Sequence, residues 1–126
     1  MFGELVLKNV TTLYTDVFAR QGGKCAVTFD LLQLQGNTVN CVITIETKNN
    51  EDYTDAAWTP AASALAAGNA TVTITQGTSL GPFTLVAKEL MELVRISFVM
   101  SPNNPQNNSA DALLRLYWYR NSWSPF

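Results

Sequence analysis

Residues Val39 to Thr59 read VNCVITIETKNNEDYTDAAWT, an alternating run that passes into an acidic polar turn and then a tryptophan. Cys41, Ile43 and Ile45 fall in one phase and Asn40, Thr44 and Glu46 in the other, the period of two that marks a half-buried β-strand. A strand with one apolar face needs a second sheet to cover it, so the run belongs to a sandwich. Asn49, Asn50, Glu51 and Asp52 are poor ladder residues and read as a solvent-facing turn, which brings Trp58 back over the strand's apolar face.

Outward from this stretch, β signals recur almost throughout. Short strands are expected at Glu4 to Lys8 and at Leu13 to Phe18, where Tyr14 and Phe18 share one phase and Leu13 and Val17 the other. Cys25, Val27, Phe29 and Leu31 alternate, and then Leu32 and Leu34 carry the apolar phase on the opposite parity. That switch predicts a bulge near Leu31 and Leu32, or a strand whose two ends face different sheets. Gly36 and Asn37 read as a hairpin turn leading into the strand at Val39. The alanine-rich run Ala56 to Ala70 reads as a loop with at most one helical turn, between Ala61 and Ala67. Val72 and Ile74, Phe83 to Ala87, and Met91 to Met100 follow as strands, the last with Val94, Ile96, Phe98 and Met100 inward and Arg95 and Ser97 outward. Pro102 to Ala110 is a polar excursion, solvent-exposed or a contact arm. The predicted fold is all-β: one antiparallel β-sandwich over residues 1–126, jelly-roll or Ig-like, with about eight strands and little helix. Residues 1–8 are expected as an N-terminal arm and 121–126 as a C-terminal tail.

Composition agrees with a single domain. The 126 residues are 47% apolar, enough for a continuous core, and 14% charged with a net charge of −2. That balance offers no basic face for nucleic acid and no polybasic membrane footprint, so neither is expected as a partner. The opening MFGELVLKNV lacks the charged leader and apolar segment of a signal peptide, so assembly inside a cell is expected. Cys25 and Cys41 both lie on apolar phases. They are either small core hydrophobes or a disulfide between facing strands, and the expected reducing compartment favours the first.

Histidine is absent, which removes the histidine-based nucleophile arrangements, and the glycines lack phosphate-loop spacing. No enzymatic activity, cofactor or metal is expected. Glu46, Glu51, Asp52 and Asp55 could in principle supply two carboxylates for glycoside hydrolysis or oxygens for calcium, but their spacing fits no calcium loop and a solvated turn is the simpler reading.

The last strand, Leu113 to Arg120, has Leu114, Leu116 and Trp118 in one phase and Leu113, Arg115, Tyr117 and Tyr119 in the other. If the first phase is core, the second either meets a partner or is covered by the alanine-rich loop or the tail. Tyr, Trp and Arg dominate interface energetics, which marks Arg115, Tyr117, Tyr119, Arg120, Trp123 and Phe126 as the expected contact, with the odd members on one face.

The strand-turn-tryptophan run ITIETKNNEDYTDAAWT at Ile43 to Thr59, the strand KELMELVRISF at Lys88 to Phe98 and the ending SWSPF at Ser122 to Phe126 resemble small β-sandwich structural proteins of tailed bacteriophages. The resemblance touches about half the chain and rests on packing motifs. It implies a non-enzymatic virion protein, assembled in the host cytoplasm, that binds other copies of itself and a major capsid or other virion protein. A capsid decoration or cement subunit is the leading form, with another head or tail component after it. The same strand-turn-tryptophan pattern is similar to sugar-binding sandwich modules of the discoidin type. The alternative is therefore a carbohydrate-binding module with Tyr53 and Trp58, or Tyr117 and Trp118, as stacking platforms.

Overall fold

A computed structural model describes residues 3–8, 11–35, 39–49, 57–63, 69–75, 77–102 and 113–124. Eleven strands lie in these segments: β1 (Gly3–Lys8), β2 (Thr11–Tyr14), β3 (Phe18–Ala19), β4 (Lys24–Gln35), β5 (Val39–Lys48), β6 (Thr59–Pro60), β7 (Ala62–Ser63), β8 (Thr71–Thr75), β9 (Gly81–Lys88), β10 (Leu93–Pro102) and β11 (Leu113–Ser124). The described residues contain no α-helix; of the alanine-rich run Ala56 to Ala70, Thr59–Pro60 and Ala62–Ser63 form β6 and β7, the latter paired with β9, and residues 64–68, where a helical turn is expected, lie outside the described residues.

The first sheet has the order β1-β11-β4-β9-β7 and the second β2-β10-β5-β6, with β3 on β10 and β8 on β5. Every pairing is antiparallel. Since β5 holds one edge of β10, β2 and β3 share the other, and since β10 holds one edge of β5, β6 and β8 share the other. The eleven segments thus reduce to a five-position layer, β1-β11-β4-β9-β7, facing a four-position layer, β2/β3-β10-β5-β6/β8. This is the connectivity of a jelly roll, in which the chain changes sheet at almost every turn. The expected hairpin at Gly36 and Asn37 is therefore corrected: β4 and β5 lie in opposite sheets, and the connection between them crosses the sandwich.

The core is the set of inward phases. Val27, Phe29 and Leu31 of β4, Ile43 and Ile45 of β5, Ile96 and Phe98 of β10, and Leu114, Leu116 and Trp118 of β11 are all at most 1% exposed. Each such aliphatic or aromatic side chain contributes about 1.5–3 kcal/mol on leaving water. Aromatic rings link the layers: Phe29 meets Phe98 edge-on with centroids 5.7 Å apart, and Phe18 meets Trp123 the same way at 5.9 Å. Cys25 and Cys41 are buried and free, one in each sheet, as the core reading expects.

Two bulges shape β11. Arg115 pairs with Gln33 and Leu116 with Leu31, leaving Leu32 as the extra residue on β4, where the parity switch places it. Trp118 pairs with Phe29 and Arg120 with Thr28, leaving Tyr119 as the extra residue on β11. The strand expected over Leu13 to Phe18 is interrupted. Thr15 is buried between β2 and β3, where its N–H donates to the Ile96 carbonyl at 3.0 Å and its hydroxyl accepts from the Ile96 N–H at 2.9 Å. The interruption separates the phases of Tyr14, which is exposed, and Phe18, which packs on the core.

Candidate functional site

The expected contact residues divide between the two faces of β11. Arg115 and Tyr117 lie on the outer face of the first sheet, in register with Val6 and Glu4 of β1 and with Gln33 and Asp30 of β4. The Arg115 Nε donates to Glu4 Oε1 at 2.6 Å and its Nη1 to Gln33 Oε1 at 3.0 Å, so the guanidinium is clamped across three strands. The pair with Glu4 is open to solvent and adds little to stability; its effect is to fix the arginine's position. Around it Val6 is 56% exposed, Tyr117 44% and Leu32 39%.

Trp123 is not on that face. The bulge at Tyr119 advances the phase by one residue, so Trp123 pairs with inward-facing Cys25 and packs against the core beside Phe18. Tyr119 and Arg120 are described only by their places in the strand, and Phe126 and Tyr53 lie outside the described residues. The residues expected as an arm form, from Gly3, the edge strand β1, whose Leu7 is fully buried, and Asn121 to Ser124 complete β11. Trp118, named as a stacking platform, is 1% exposed and cannot meet a ligand.

Trp58 returns over β5, but on the polar side. Its ring lies 4.4 Å from the Arg95 guanidinium carbon and 5.2 Å from the Lys48 ammonium, both outward residues of the second sheet. Arg95 also lies 3.9 Å from the Tyr14 ring centroid, and its Nε donates to Glu46 Oε1 at 2.7 Å. The inward phase of β5 is already filled by the opposite sheet, so cation–π attraction on the outer face decides where the tryptophan settles. Glu46 is therefore an ion-pair partner; Glu51, Asp52 and Asp55 fall outside the described residues. A pocket of about 420 Å³ opens beside Ala19, Arg20, Glu92 and Leu93, where Arg20 donates to the Leu90 carbonyl.

Tyr14, Arg95 and Trp58 are the grouping that sequence reasoning missed. Arg95 was visible only as an outward position, and the three come from distant parts of the chain, brought together by the pairing of β10 with β2 and β5. The chain matches no protein-family model and none of the curated proteins.

Proposed function

We propose that this protein is a non-enzymatic structural subunit of a virion, a capsid decoration or cement protein that binds copies of itself and a larger protein lattice. The observation that carries the reading is the outer face of the first sheet. Arg115, held in place by Glu4 and Gln33, is ringed by the exposed Tyr117, Val6 and Leu32. A positioned arginine and a tyrosine with aliphatic neighbours make up the composition of an interface centre. Preorganisation of the arginine lowers the ordering cost of docking. Jelly rolls host both viral coat and sugar-binding functions, so the fold is compatible with this reading without selecting it.

Mass spectrometry of purified particles tests the proposal directly, and absence of the protein from any particle refutes it. The alternative, a carbohydrate-binding module, is favoured by one observation, the aromatic and charged grouping of Tyr14, Arg95 and Trp58. A glycan array separates the two readings.

A further inference from the structure

We propose that the outer face of the second sheet binds a carboxylated saccharide, with the Arg95 guanidinium as the floor of the site and the rings of Tyr14 and Trp58 as its walls. The proposal sharpens the carbohydrate-binding alternative. It is independent of the lattice contact, because Arg115 and Tyr117 lie on the other sheet.

The strand order places the walls. Tyr14 is on β2, along one edge of β10, and Trp58 immediately precedes β6, which pairs with β5 along the other side. Arg95, on β10 between them, has ring centroids 3.9 Å and 4.4 Å from its guanidinium carbon. With rings against the guanidinium, its approach is left to the edges. Glu46 takes Nε at 2.7 Å, and among the described residues Nη1 and Nη2 have no acceptor. That remaining edge is the one on which a carboxylate forms two parallel N–H···O bonds.

Burial strengthens the argument. The Arg95 side chain is only 14% exposed, so donors that have no acceptor among the described residues have lost much of their hydration, and an incoming acceptor replaces it.

The walls select the rest of the ligand. A neutral pyranose seeks an open ring face, but Arg95 already covers one face of each ring. A carboxylate entering edge-on reaches the guanidinium and brings its attached sugar ring against the aromatic rims, where Tyr14 is 48% exposed. An acidic peptide carries its carboxylate on a flexible stem and makes no comparable use of the walls.

The test is a two-dimensional NMR titration of the whole chain at millimolar trigalacturonate, with galactotriose and triglutamate as separate arms. Trigalacturonate is expected to shift the Arg95, Tyr14 and Trp58 signals, while galactotriose and triglutamate leave them in place. Arg95→Lys keeps the charge but loses the fork and weakens trigalacturonate binding about tenfold. Tyr14→Leu, at an exposed position, also weakens it and decides the matter if Arg95→Lys does not fold. The proposal is overturned if trigalacturonate causes no shifts, if galactotriose or triglutamate binds as well, or if either folded variant binds trigalacturonate as tightly as the parent.

Discussion

The indole N–H of Trp118 donates to Asn121 Oδ1 at 2.7 Å, joining two residues that an unbroken strand would place on opposite faces. The bulge at Tyr119 makes the contact geometrically available and in the same step turns Trp123 toward the core. One inserted residue therefore decides which aromatics of the second half of β11 pack into the core.

Removing that acceptor should be costly, because the Trp118 side chain is 1% exposed and its N–H has little water to fall back on. Asn121→Ala is expected to lower stability by about 1–3 kcal/mol in urea denaturation followed by tryptophan fluorescence. Asn121→Asp, which keeps the acceptor, should lose clearly less. Equal losses in the two variants would show that the hydrogen bond is not the cause.

Thr47 has the same character in the second sheet. Its hydroxyl donates to the Leu93 carbonyl at 2.9 Å and accepts from the Met91 N–H at 2.8 Å, tying the end of β5 to the turn before β10. Thr47→Val preserves shape and leaves both partners unmet in a site where the residue is 2% exposed. A loss of about 1–3 kcal/mol by thermal or urea unfolding is expected, with the Met91 amide exchanging faster in hydrogen-exchange NMR.

The thiols predict the alkaline limit of stability. Burial raises both Cys25 and Cys41 from 9.0 to about 12. The unfolded chain therefore releases these protons first as pH rises. Between about pH 9 and pH 12 it binds fewer protons than the folded protein, and stability must fall with pH there. Below that window the contribution is fully present. Replacing both cysteines by Val should flatten the alkaline decline in a pH series of melting temperatures, at an intrinsic cost on the order of 1 kcal/mol each. Iodoacetamide should label neither thiol at pH 8 until the protein unfolds.

The legibility of this chain varied with the kind of information each feature needs. The alternation of β5, β10 and the first half of β11 was readable because their apolar and polar phases differ sharply. Leu32 was readable as a bulge because leucines on both sides of it change parity. Tyr119 was not, because Tyr117, Trp118, Tyr119, Arg120 and Asn121 alternate neither in polarity nor in size, so a slipped phase leaves no mark. The crossing between β4 and β5 was hidden for a different reason: a hairpin and an arch between sheets require the same alternation and the same turn residues. Of the expected contact, Arg115 and Tyr117 were placed correctly on an outer face, whereas the site around Arg95 depends on pairings between distant segments and had no local signal.

The division of β11 by its bulge gives the proposed lattice contact a test that separates binding from folding. Val6→Ser acts on an exposed side chain and should change stability by no more than about 0.5 kcal/mol, while Tyr117→Ser removes a half-exposed ring and should cost about 1 kcal/mol. Together they should weaken binding to particles, measured by co-sedimentation with particles stripped of the protein. Arg115→Ala belongs with them, since its ion pair with Glu4 is solvent-exposed and contributes at most about 1 kcal/mol to the fold. Trp123→Ala should behave in the opposite way. Its ring packs on the core and edge-on to Phe18, so the domain itself is expected to lose about 3 kcal/mol, and truncation from Trp123 should unfold or loosen it. If the outer-face variants sediment with particles as strongly as the parent while Trp123→Ala alone abolishes binding, the first sheet is not the contact. Attachment must then be sought at another surface.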